Sequence, residues 1–156
     1  SPKHEIGKQS IDYGHPTGSS DNDIKGALGK GYGDIITTGN TTTVAGQDYC
    51  IHTDESWVTT DADGGCVSSS LLGVSMGTNS GTDGMLLRGF CQVSQSGTTS
   101  VGQKVYASVS AGCVSGSAPA GSGDIARVLG YVINSGLNNA SASIYFNPDN
   151  TWVEIS

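Results

Sequence analysis

Charge is scarce in this chain, and long apolar runs are missing. Only 13% of the residues are charged and 35% are hydrophobic. No apolar stretch approaches the roughly 20 residues that a helix needs to span a bilayer. No window of a dozen residues keeps a 3.6-residue apolar period free of glycine, which excludes long amphipathic helices. Cations are fewest: 7 Lys and Arg stand against 14 Asp and Glu, for a net charge of −7. Such a surface repels phosphate, so nucleic acid is not an expected partner. A membrane is not expected either, and the polar opening Ser1-Pro2-Lys3-His4 predicts no secretory leader.

The frames of common active sites are also lacking. Gly116-Ser117-Ala118 and Gly121-Ser122-Gly123 do not complete a GxSxG elbow. Gly29-Lys30-Gly31-Tyr32-Gly33 lacks the GxxxxGK[ST] frame of a phosphate loop. Of three histidines, His4 and His15 lie in the polar N-terminal segment, and His52 sits beside Thr53-Asp54-Glu55. Carboxylates pair at Asp21/Asp23, Asp54/Glu55 and Asp61/Asp63, but neighbours in sequence do not make two carboxyls across a cleft. Asp61-Ala62-Asp63-Gly64-Gly65 resembles half a calcium loop without the bidentate Glu, and reads better as a turn. The expectation is a protein with no catalytic activity, no cofactor and no metal. Two sequons, at Asn40 and Asn139, are too short to carry weight.

Four cysteines are present: Cys50, Cys66, Cys91 and Cys113, with 15, 24 and 21 residues between neighbours. No CxxC occurs, which disfavours a zinc site of the usual kind. Disulfides and buried free thiols both remain open. If bridges form, near-neighbour pairing is expected, Cys50–Cys66 and Cys91–Cys113, each closing a hairpin-like loop.

What the chain has in abundance is Gly, Ser and Thr: 24, 22 and 14 of 156 residues. The apolar residues fall in short β-branched runs between turn signals, which a disordered chain lacks. Strands are predicted at 34–38, 41–53, 57–60, 66–76, 85–93, 104–110, 126–133, 143–146 and 151–155. The run from Gly77 to Gly84 is a hairpin loop by composition. The fold class is therefore all-β: a compact antiparallel β-sandwich or small barrel, as a single domain over 32–156. Residues 1–31 are polar and read as an extended N-terminal arm with a short helix at 21–29. Ile6, Ile11 and Tyr13 would be its docking side chains.

Leu71-Leu72-Gly73-Val74 and Val128-Leu129-Gly130-Tyr131 each place Gly inside a strand, where it marks a bulge or a close backbone approach. The aromatics Trp57, Trp152, Tyr106, Tyr131, Tyr145 and Phe146 offer a sugar-stacking platform, although strand aromatics more often fill a core or an interface. Tyr145 and Phe146 are neighbours on a strand and must face opposite ways. Through the turn 147–150, strand 151–155 is expected to pair with 143–146 and to close the sheet. Trp152 or Val153 should then be buried, with Val153 and Ile155 on one face.

The last third reads Val105-Tyr106-Ala107-Ser108, then Ala118-Pro119-Ala120-Gly121-Ser122-Gly123-Asp124-Ile125-Ala126-Arg127-Val128-Leu129-Gly130-Tyr131, then Tyr145-Phe146-Asn147-Pro148-Asp149-Asn150-Thr151-Trp152-Val153-Glu154. This order resembles the C-terminal module of tailed-bacteriophage virion structural proteins, head decoration or fibre-like, over residues 102–156. Ala45–Tyr49 and 71–74 fit the same pattern more weakly. The resemblance implies a non-enzymatic virion protein located on the extracellular particle. Its leading form is a capsid decoration (cement) protein, whose partners are identical subunits, the major capsid protein, or both. Two alternatives are a tail-fibre or receptor-binding module recognising carbohydrate, and a filament subunit joined by strand addition.

Overall fold

A computed structural model of the chain describes residues 27–64, 66–135 and 139–156. Residues 27–30 form a turn closed by Lys30 N–H donating to the Ala27 carbonyl at 3.1 Å. Eleven strands follow among the described residues, with no helix. In chain order they are β1 (Gly31–Ile36), β2 (Asp48–Ile51), β3 (Trp57–Thr59), β4 (Leu72–Ser75), β5 (Met85–Ser96) and β6 (Lys104–Ala107). The rest are β7 (Val114–Ser115), β8 (Ile125–Ala126), β9 (Val128–Ser135), β10 (Ser141–Phe146) and β11 (Val153–Glu154).

The architecture is a small closed barrel with strands added outside it. Strand β5 pairs with β10, β10 with β9, β9 with β6, β6 with β7, and β7 returns to β5. The β5–β7 contact is parallel, and the other barrel pairs are antiparallel. At twelve residues, β5 is long enough to serve two assemblies. Its second half belongs to the barrel, while its first half carries β1 on one edge and β4 on the other. Strands β2 and β3 extend the sheet beyond β4. Closure removes the open edges that would otherwise invite pairing with other chains.

The barrel is filled by alternation. On β6, Lys104 faces out, Val105 in, Tyr106 half out and Ala107 in. With Cys91, Val93, Val114, Leu129, Val132, Ile144 and Phe146 these inward residues form one apolar cluster. A second small cluster joins Tyr49, Trp57 and Met85 under the outer strands. The expectation that Tyr145 and Phe146 face opposite ways holds: Phe146 is wholly buried and Tyr145 half-buried.

Glycine has a particular use beside Phe146. The residues directly across from it are Gly89 on β5 and Gly130 on β9. A side chain at Gly130 would collide with the Tyr145 carbonyl, and Gly89 has φ +145°. Strand β9 therefore approaches β10 at Gly130, and β1 approaches β5 at Gly89, where a side chain would meet the Tyr32 carbonyl, more closely than any larger residue permits. The sequence echo at Gly73 is milder: a Cβ there would stand 3.3 Å from the Trp57 ring.

The C-terminal hairpin expected from the sequence does not form. Strand β11 pairs with β8, Val153 opposite Ala126 and Glu154 opposite Ile125, in a separate two-stranded sheet. The reason is edge occupancy: β10 is already paired along its length by β9 on one side and β5 on the other. The turn 147–150 does not double back. Asn147 N–H donates to the Leu129 carbonyl and Asp149 N–H to that of Val128, so the chain runs on beside β9. Trp152 and Val153 are correspondingly exposed, at 46% and 63%, and Ile155 is half-buried. Losing 151–156 therefore leaves 143–146 covered by β9 and β5.

The cysteines divide. Cys50 on β2 and Cys66 in the loop before β4 form the expected disulfide, with Cα atoms 6.2 Å apart. Cys91 and Cys113 are free thiols, so of the two conditional pairings only the first forms. Cys91 points into the barrel between Gly31 and Ile144, and Cys113 lies half-buried in the turn that Cys113 N–H closes on the Ser110 carbonyl. Burial raises both thiols above their ordinary range, which disfavours the nucleophilic thiolate form. The bridge closes a loop with a sequence separation of 16, for which chain entropy gives about 3 kcal/mol. Replacing Cys50 and Cys66 by Ala should lower the melting temperature by roughly 6–12 °C. An unchanged melt by calorimetry would show that the bridge adds nothing.

Candidate functional site: an aromatic ladder and a cysteine–histidine corner

The barrel wall carries an aromatic row that follows from register. Tyr32 on β1 lies opposite Phe90 on β5, and Phe90 opposite Tyr145 on β10. Tyr145 lies opposite Tyr131 on β9, and Tyr131 opposite Lys104 on β6. Phe90, Tyr145 and Tyr131 leave the face away from the barrel core, because their strand neighbours Gly89, Cys91, Ile144, Phe146, Gly130 and Val132 are buried, and Tyr32 shares the face of Phe90 across the β1–β5 pair. Four of the chain's ten aromatics (two Trp, six Tyr, two Phe) thus form one ladder over four adjacent strands. The Phe90 and Tyr145 rings are 5.2 Å apart and tilted by 42°, within the range of favourable edge-to-face contacts. Tyr131 is the most open rung at 49%, and Ile133 continues the apolar surface along β9 at 41%.

Polar groups frame this row. Lys104 ends it, and the neighbouring outward pair on β1 and β5 is Asp34 with Arg88, joined at 3.3 Å. That ion pair is exposed and adds little stability. It fixes the polar margin of an otherwise apolar strip.

A second feature lies on the added strands. The Sγ atoms of Cys50 and Cys66 and an imidazole nitrogen of His52 all lie within 4.8 Å of one another. Alternation along the end of β2 explains it: Cys50 and His52 are two residues apart and share a face. Beside them is an open cavity of about 590 Å³, lined by His52, Thr59, Asp61, Cys66, Ser69 and Ser70 among others. Partial burial raises the Asp61 carboxyl above the ordinary range, with Asp63 and Asp124 adding to the shift.

Four acidic residues serve local turns. Asp54 accepts from the Ser56 backbone and hydroxyl, which pull its pKa down. Asp61 accepts from Asp63 N–H, and Asp83 from the N–H groups of Thr78 and Asn79. Asp124 accepts from Gly121 N–H. Of the carboxylate pairs noted in sequence, Asp54 and Asp61 thus cap turns at 54–56 and 61–64, as the turn reading of 61–65 expects for the described part of that segment, and Asp21/Asp23 lies outside the described residues. Arg127 also holds structure together: Nε donates to the Asp149 carbonyl at 2.8 Å and Nη1 to that of Val67 at 2.7 Å.

Of the sugar-platform candidates, only Tyr131 and Tyr145 meet. Trp57 is buried, Phe146 fills the barrel, Tyr106 is half-buried on β6, and Trp152 stands apart near β11. Tyr32 and Phe90 join the row without a local sequence signal; their membership depends on strand order, which no local pattern encodes. Ile6, Ile11, Tyr13 and most of the expected helix at 21–29 lie outside the described residues. No helix among the described residues is long and apolar enough to cross a membrane. The chain matches no protein-family model, and no curated protein or solved structure is significantly similar to it.

Proposed function

We propose that this is a non-enzymatic structural protein of a virion that works by surface contact, most simply as a capsid decoration protein. The observation that carries the reading is the outward aromatic ladder Tyr32–Phe90–Tyr145–Tyr131. Aromatic rings with a polar margin are the usual anchors of protein interfaces. Three of its four rungs, Phe90, Tyr145 and Tyr131, sit on the closed barrel, so they are presented rigidly and lose little entropy when covered. The sequence resemblance over 102–156 supplies the virion setting, and it includes the strands that carry Tyr131 and Tyr145. Identical subunits, the major capsid protein, or both are the partners.

A specific observation also favours carbohydrate as a second reading. Tyr131 and Tyr145 lie side by side across β9 and β10, and a row of rings suits the apolar face of a sugar chain. The assembly and glycan readings separate in one set of measurements. The purified protein should associate into discrete oligomers in analytical ultracentrifugation. Replacing Tyr131 and Tyr145 by Ser should abolish association while the melting temperature stays within a few degrees. A wild-type monomer that binds glycans through the same tyrosines would replace the decoration reading with the receptor-binding one. Open filaments by negative-stain microscopy would favour strand addition instead. A monomer indifferent to both substitutions, with no glycan bound, would remove the ladder from the account.

A further inference from the structure

The corner formed by Cys50, His52 and Cys66 holds chemistry that the contact surface does not use. We propose that reducing the Cys50–Cys66 disulfide turns this corner into a binding site for one thiophilic divalent ion, zinc being the natural probe. The ligands would be the two cysteine sulfurs and the His52 imidazole.

The geometry is already close to what the ion requires. All three donor atoms lie within 4.8 Å of one another. Donors on a tetrahedral zinc stand roughly 3.3–3.9 Å apart, given bonds of about 2.0–2.3 Å. Breaking the sulfur–sulfur bond lets the two sulfurs separate into that range, with the chain already folded around them. Cys50 is buried on β2, which holds one ligand firmly, while Cys66 is half-buried and His52 exposed, which leaves a path for the ion. Three protein ligands leave one tetrahedral position for water, as in open zinc sites. The adjoining cavity of about 590 Å³, lined by His52, Asp61 and Cys66, has room for it. Two thiolates and a neutral imidazole balance a divalent charge, and the chain's net charge of −7 favours a cation.

The chemistry balances. A phosphine or dithiol reductant supplies two electrons, and two protons come from it or from water. The sulfur–sulfur bond breaks and two thiols form. A phosphine ends as its oxide, a dithiol as its own disulfide. Each thiol then loses its proton as the ion binds, so two protons are released and affinity rises with pH. In the oxidised chain the sulfurs are committed to each other, and the site does not exist. Either way the same residues tie β2 to the loop before β4: by the covalent bond in an oxidising compartment, by the ion in a reducing one.

The experiment uses the full chain, oxidised or phosphine-reduced and desalted without air. Zinc is titrated against a chromophoric chelator. The reduced protein should take up one equivalent and the oxidised protein none. Cys91 and Cys113 are free thiols in both states, so the oxidised protein controls for them. His52→Ala should weaken binding by at least the roughly 10–100-fold typical of perturbing a zinc ligand's support. Replacing Cys50 and Cys66 by Ser should abolish it. Alkylation mapped by mass spectrometry should find Cys50 and Cys66 protected by zinc. If reduction loosens the fold, zinc must restore the fluorescence of buried Trp57. Equal uptake in both redox states, undiminished binding by His52→Ala, unprotected cysteines, or a loosened fold that zinc leaves loose would each overturn the site.

Discussion

Truncating Phe146 to alanine will remove about 3–5 kcal/mol of stability, with the upper end expected. Phe146 is the largest fully buried side chain of the barrel. The cost of such a change depends on how far the surroundings collapse into the space left behind. Here the two directly facing positions have nothing to collapse with. The residues opposite Phe146 on both neighbouring strands are Gly89 and Gly130, which have no side chains to move inward. Gly130 cannot take a side chain to fill the space either, since a Cβ there would collide with the Tyr145 carbonyl. A ring facing cross-strand glycines fills space that the glycines leave open. Total stability for a domain of this kind is about 5–15 kcal/mol, so the variant should be marginal at 37 °C. Phe146→Leu keeps most of the volume and should lose less than half as much. Urea unfolding of the two variants gives the comparison. Equal losses would mean that the glycine-flanked space is not what Phe146 fills.

The same residue shows what the sequence made legible. Alternation places Tyr145 and Phe146 on opposite faces from two adjacent letters. The hairpin at 77–84 is legible in its Gly and Asp content, and it connects β4 to β5 with Ser75 opposite Met85. Strands β5, β6, β9 and β10 are visible as apolar runs, although β5 reaches three residues further, to Ser96, than its apolar run suggests. The two-residue β7 is too short to leave a pattern, yet it supplies the parallel contact that closes the barrel.

What remained hidden depends on which strand lies beside which. The last strand looks like the partner of the strand before it, because short connections usually join neighbours. That inference fails here because β5, some 50 residues earlier, already occupies the edge of β10. The aromatic ladder is invisible for the same reason: Tyr32, Phe90, Tyr131 and Tyr145 come from four separate segments and meet only through register. The cysteine–histidine corner was half legible. Cys50-Ile51-His52 carries the alternation of a strand, but nothing local brings Cys66 to it. No CxxC pair marks a site that takes one cysteine and the histidine from a strand end and the second cysteine from a loop.

Stability should fall as the solution is taken from pH 5 to pH 8, and Asp48→Asn should abolish much of that fall. Asp48 begins β2 and is fully buried. The Thr60 hydroxyl donates to its Oδ2, but Oδ1 is buried without a hydrogen-bond partner. Desolvation lifts its pKa from 3.8 to about 7, against smaller lowering effects from Thr60 and its own backbone. The titratable groups that feel its charge are Cys91, Cys113 and Tyr49, all neutral near pH 7 and all raised further by it. Among the described residues, no cation offsets the cost of ionising it. Because the folded-state value lies above the unfolded one, the folded protein holds more protons between them. Its contribution is fully present below pH 3.8 and is lost as pH rises through about 7. Each unit of separation is worth about 1.4 kcal/mol, so the loss by pH 8 should amount to a few kcal/mol. The amide of the Asp48→Asn variant keeps an acceptor for Thr60 and has no charge to bury. The gap between Asp48→Asn and the wild type should therefore widen by about 2–4 kcal/mol from pH 5 to pH 8, or roughly 5–10 °C in melting temperature. Turn-capping carboxylates such as Asp54, whose pKa is lowered, act in the opposite sense in both proteins and cancel in the difference. Parallel stability curves across that range would show that Asp48 is ionised in the fold without cost, and that an unseen partner reaches its second oxygen.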